Sequence, residues 1–102
     1  MHTHLDLNHL TPQLPEKGVL SRPLISEEHV RVIWFGFDAG QLLSEHTAAC
    51  PVTLQVLSGE GTVTLGDERL AARAGFWAYL PAHLPHSIEA ATPLCLLLTM
   101  IK

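Results

Sequence analysis

Charge is scarce in this 102-residue chain: Asp, Glu, Lys and Arg together make up 16% of it, against about 25% in an average soluble domain. Only six residues are Lys or Arg, and the formal net charge is −4 at pH 7. Those six, Lys17, Arg22, Arg31, Arg69, Arg73 and Lys102, are scattered rather than clustered. A surface that neutralises consecutive phosphates needs grouped cations, so nucleic acid is not expected as a partner. Cysteine is as sparse, and two thiols, Cys50 and Cys95, make no disulfide framework. Cys95 lies inside the apolar run 94–98 and is expected to be free and buried as a small hydrophobe. No apolar run approaches the ~18 residues of a membrane span, so no membrane partner is expected. The N-terminus, with His2, Thr3 and His4, lacks the basic and then apolar profile of a secretory signal, and the expected compartment is the cytoplasm. Also missing are a Gly-rich phosphate loop, a CxxC pair, a Ser-His-Asp order and any stretch of helical periodicity.

Apolar side chains are plentiful, at 47% of the chain. A domain of this size has little interior in which to hide them, and a second copy is the simplest cover, so a homodimer is expected. Residues 1–18 are polar and punctuated by Pro12, Pro15 and Gly18. They read as an N-terminal arm, with His2, His4 and His9 solvated on it. Residues 19–102 read as one all-β domain of short apolar segments separated by turn residues. The richest segment, 29–37, holds Val30, Val32, Ile33, Trp34, Phe35 and Phe37 and ends at the turn Asp38-Ala39-Gly40. Further strands are expected at 42–46, 52–57, 62–65, 69–72, 76–80, 87–90 and 94–101. The spacing suits a sandwich or barrel of jelly-roll type. Segments 29–37 and 94–101 are apolar at nearly every position, so both of their faces are expected to be covered.

Two blocks carry a resemblance. Gly40-Gln41-Leu42-Leu43-Ser44-Glu45-His46, followed by Val56-Leu57-Ser58-Gly59, resembles the first motif of the cupin family, G-x5-H-x-H and then a strand ending V-L-x-G. Gly75, Pro81 and His86 match the second motif, G-x5-P-x-G-x2-H-x3-N. The resemblance covers residues 40–90 and implies a small RmlC-like cupin: a double-stranded β-helix, or jelly-roll barrel, with ligands converging on its interior. In that family two histidines, a glutamate and a third histidine hold one metal. Here the second histidine of H-x-H is replaced by Ala48, the glutamate by Val52, the glycine of the second motif by His83 and its asparagine by Ala90.

Of the usual ligands the resemblance therefore leaves His46 and His86, with His83 as a possible third. A divalent Zn, Ni, Fe or Mn ion held weakly, or no metal at all, is the cofactor expectation. Residues alternate sides along a strand, so Val52, Leu54 and Val56 are expected to line an apolar interior beside the two histidines, and Trp34 and Trp77 to add aromatic surface to that pocket or to an interface. The main functional expectation is binding of a small molecule in the barrel near the two-histidine site. A metal-dependent dioxygenase or isomerase using His46, His86 and a further ligand is one alternative. A structural or regulatory dimer whose barrel is empty or plugged by side chains is another. A pocket of several hundred Å³ would separate the first expectation from the last, and a shared metal, with bonds near 2 Å, requires the two histidines within about 8 Å of each other.

Overall fold

The computed structural model describes residues 2–13 and 18–102. Met1 and residues 14–17, including Lys17 and Pro15 of the expected arm, lie outside the described residues. A 3₁₀ helix, Leu7–Gln13, precedes nine strands: β1 (Val19–Ser26), β2 (Val30–Phe37), β3 (Leu42–His46), β4 (Val52–Ser58), β5 (Glu60–Leu65), β6 (Glu68–Arg73), β7 (Trp77–Leu80), β8 (His86–Ala90) and β9 (Leu94–Ile101). They form a five-stranded sheet in the order β1-β2-β9-β4-β7 and a four-stranded sheet in the order β3-β8-β5-β6. Every pairing is antiparallel, and the fold is the expected all-β jelly roll.

Alternation along the strands builds the core. On β4, Val52, Leu54 and Val56 are buried and Gln55 is exposed. They share an inner face with Leu96, Leu98 and Met100, because Val56 pairs with Leu96, Leu54 with Leu98 and Val52 with Met100. From the other sheet, Val63, Ala72, Ile88 and Ala90 close the core against this face. Turn chemistry fixes the register. The β5–β6 hairpin closes through Gly66-Asp67, and Gly66 takes a φ of +60°, the Gly-first form favoured in two-residue loops. Gly59, at φ +87° between β4 and β5, sits so close to the chain before β9 that a Cβ there would lie 2.8 Å from the Leu94 Cα.

The outer face of the five-stranded sheet is also apolar, and part of it is covered from within the chain. Leu10 of the 3₁₀ helix packs with Trp34 and Cys95, joined by Leu7, Leu24, Leu57 and Leu97. The arm is thus more than a solvated leader. Its described part forms the lid of a second, smaller core, and Cys95 is free and 1% exposed as expected. Strand β1 was not among the expected strands. Pro23, and the register shift between Pro23 and Ile25, interrupt the alternation that marks a strand.

Candidate functional site

Strand β3 ends at His46 and β8 begins at His86, and the two residues are direct partners across the antiparallel pair. Partnered residues project to the same side of a sheet, and the imidazoles meet edge to face with ring centroids 4.1 Å apart and planes at 60°. Each ring is tied by the chain just before it: Nδ1 of His46 lies 2.8 Å from the Ser44 carbonyl oxygen and Nδ1 of His86 lies 2.9 Å from that of Leu84. A carbonyl oxygen only accepts, so Nδ1–H is the donor in each ring and the neutral imidazole keeps its lone pair on Nε2. The two rings differ in hydration, His46 being exposed and His86 3% exposed. Burial holds the His86 pKa below its ordinary value of 6.5. The Leu84 hydrogen bond opposes that shift, and the neighbouring His46 adds to it.

Beside the pair opens a cavity of about 370 Å³ lined by Ile33, Phe35, His46, Thr47, Ala48, Ala49, Val52, His86, Leu98 and Met100. Strands β2, β4 and β9 supply its apolar wall through their inward rows, and the segment joining β3 to β4 supplies the rest. His46, Ala48, Val52 and His86 all stand on this one wall.

The sequence of residues 33–100 matches the cupin domain family. The chain belongs to that family. No curated protein matches it. Among solved structures, a protein of unknown function from Streptococcus pyogenes is 26% identical over 100% of this chain and 89% of its own, with a TM-score of 0.84. An RmlC-like cupin from Desulfovibrio desulfuricans is 26% identical over 99% of this chain and 96% of its own, with a TM-score of 0.79. Salicylate 1,2-dioxygenase from Pseudoaminobacter salicylatoxidans is similar in fold, with a TM-score of 0.78, at 19% identity over 82% of this chain and 25% of that enzyme.

In cupin terms, the four metal-ligand positions named from the sequence converge on the cavity wall, yet they carry two imidazoles, a methyl and an isopropyl group. Ala48 and Val52 offer no lone pair. Catalytic metal sites take about three protein ligands, and among the described residues no three His, Cys, Asp or Glu side chains group together. The residues present therefore do not fit the resident metal of the four-ligand cupins. His83 does not complete a set. It occupies the glycine position of the second motif and adopts the glycine-like φ of +68°, with its N–H donating to the Ala48 carbonyl at 2.7 Å. Its side chain is exposed in the loop and is not on the cavity wall.

Of the other expected site residues, Val52 lines the cavity. Leu54 and Val56 point to the same side but lie deeper, 0% and 1% exposed in the closed core. Trp34 faces the opposite side of β2: it pairs with Leu97 on the outer face and is sealed under Leu10. Trp77 is on the outer face of β7 and 61% exposed. Ile33, Phe35, Leu98 and Met100 make up most of the apolar wall and escaped the sequence reading. Because strand side chains alternate, Trp34 inside and Phe35 inside are mutually exclusive; the phase of Val52 and Leu54 carried across β9 by register selects Phe35.

Proposed function

We propose that this cupin binds a small, mostly apolar molecule in the cavity and holds one hydrogen-bond donor of that molecule on Nε2 of His46 and His86. The observation that carries the reading is an apolar cavity of about 370 Å³ bordered by two imidazoles whose Nδ1 atoms are both committed to backbone carbonyls. Small-molecule sites begin at about 300 Å³, and a cavity of about 150 Å³ already takes benzene. A barrel plugged by its own side chains lacks such a space. A hydroxyl seated at the pair loses little of its hydration, because the acceptors replace water; an aliphatic or aromatic body gains by leaving water for Ile33, Phe35, Leu98 and Met100.

4-Ethylphenol is a suitable probe, followed by NMR titration. The wild type is expected to bind it. Ala48→Trp, which fills the cavity, is expected to abolish binding while the circular dichroism of the fold persists. His86→Ala should weaken binding by about tenfold, the worth of one hydrogen bond to a buried acceptor. Unchanged binding in folded Ala48→Trp would remove the cavity as the site.

The working form in this proposal is a homodimer in the cytoplasm. Support for the dimer comes from the outer face of the five-stranded sheet beyond the reach of the arm, where Trp77, Tyr79 and Ile101 are 61%, 51% and 45% exposed. Aromatic residues of this kind are enriched in interfaces. Free Cys50 and Cys95 suit a reducing compartment. No helix of the described residues is long and apolar enough to cross a membrane. A monomeric mass by sedimentation, unchanged in Tyr79→Glu, would count against the pairing.

A further inference from the structure

Arg31 stands one step beyond the cavity wall, in the row of β2 that supplies part of it. Side chains two apart on a strand share a face, and on β2 the row Arg31, Ile33, Phe35 contains two residues that line the cavity. Across β9, Arg31 pairs with Met100, a third lining residue, and Met100 pairs in turn with Val52, a fourth. Register thus sets Arg31 two strands from Val52, which shares the cavity with His46 and His86. The Nε of Arg31 is shut off from solvent and has no hydrogen-bond partner. Among the described residues no carboxylate stands at ion-pair distance of it. Folded proteins leave very few buried donors without an acceptor, and an arginine donor least of all.

We infer that Arg31 is the anion-binding end of the same cavity, and that the ligand is a small organic acid with an apolar body and a hydroxyl at its far end. The inference rests on the small-molecule reading given above. Arg31 as a whole is half-buried, so its guanidinium can turn about its side-chain torsions into the mouth of the cavity. That turn frees the orphaned Nε–H and presents it beside an Nη–H, the fork that a carboxylate accepts with both oxygens. The apolar body then lies along Ile33, Phe35, Leu98 and Met100, and the hydroxyl donates to the histidine pair. A free imidazole lone pair welcomes a donor and repels a second carboxylate, so the polarity of the two ends also sets the ligand's direction. A chain of net charge −4 gathers small anions poorly from bulk solution, and a dedicated cation at the mouth meets that need.

The test compares 3-(4-hydroxyphenyl)propanoate with the neutral 3-(4-hydroxyphenyl)propanamide by calorimetric titration, in the wild type, Arg31→Gln and Arg31→Lys. The wild type is expected to bind the acid about tenfold or more tightly than the amide. Arg31→Gln should erase that preference by weakening the acid about tenfold more than the amide. Arg31→Lys, which keeps the charge and loses the fork, should retain part of the preference, and it serves if the glutamine variant does not fold. Equal binding of acid and amide by the wild type, or a preference that survives Arg31→Gln, overturns the role of Arg31 while 4-ethylphenol binding still stands. If neither the acid nor 4-ethylphenol binds, or if Ala48→Trp leaves both unaffected, the cavity reading falls and Arg31 falls with it.

Discussion

Placing His at 48 and Glu at 52 should turn this barrel into a metal protein. The reasoning is geometric: His46, Ala48, Val52 and His86 border one cavity, so the double variant Ala48→His, Val52→Glu gathers three imidazoles and a carboxylate on one wall. The change is costly without metal. Val52 is 2% exposed, and losing its burial removes about 1.5–2 kcal/mol, while a carboxylate placed there unpaired adds a penalty of several kcal/mol or takes up a proton. A divalent ion reverses the sign, because it binds only the folded arrangement. At a free metal concentration of about a hundred times Kd it returns about 2.7 kcal/mol. With about 4–8 °C of Tm per kcal/mol for a domain of this size, that is a rise of about 10–20 °C on adding Zn. Differential scanning fluorimetry with and without Zn, beside metal content by mass spectrometry, provides the readout. The wild type should show a far smaller rise and well under one tightly held metal per chain. If the folded double variant shows neither the thermal rise nor the metal, the four positions do not converge and the description of the cavity wall is wrong.

Two further outcomes are expected. Gly59→Ala should destabilise by more than about 1 kcal/mol, since it combines a positive φ with a Cβ placed 2.8 Å from the Leu94 Cα; a denaturation midpoint equal to the wild type would contradict the close approach. Stability should fall as pH drops below 6.5, the ordinary histidine value, toward the lowered pKa of folded His86. In that window the unfolded chain binds the proton first, so protonation favours unfolding, and below the folded pKa this contribution levels off. His86→Phe should remove that part of the pH slope in urea unfolding followed between about pH 8 and pH 5, and a slope identical in both proteins would mean that His86 is not the responsible group.

The fold was legible because its signals are local and repeated. Val52, Leu54 and Val56 alternate with Thr53 and Gln55, Gly66-Asp67 closes a hairpin, and Gly40, His46, Gly75 and His86 fall at motif spacing. The convergence of His46 with His86 was what the cupin resemblance implied. The lining was less legible, for reasons of phase and depth. In β2, Val30, Val32, Ile33, Trp34, Phe35 and Phe37 are apolar on both faces, so no polar residue marks the outside, and nothing local tells Trp34 from Phe35 as the inward residue. The phase of Leu54 and Val56 was right, but alternation does not tell how far down a strand an open cavity gives way to closed packing. The 3₁₀ helix was hidden because its contribution rests on a single buried leucine, Leu10, in a polar, proline-punctuated stretch. Arg31 looked like one of several scattered surface cations until its place in the row with Ile33 and Phe35 was known.

The position of β9 has a consequence for biosynthesis. It is the ninth of the nine strands described, yet it lies in the middle of the larger sheet, hydrogen-bonded to β2 on one side and β4 on the other. While the chain is still emerging from the ribosome, β1-β2 and β4-β7 have no strand between them, and their inner rows have nothing to close against. The smaller sheet suffers less, since β5, β6 and β8 are all complete by Ala90. Folding of the barrel is therefore a late and nearly all-or-none event that waits for residues 94–101. Contacts of such long sequence separation form slowly, and until they form, a strand from another nascent copy can occupy the vacant place. Domain-swapped pairing or aggregation during rapid expression is the form this hazard would take, and slower translation or lower temperature is the remedy that topology suggests.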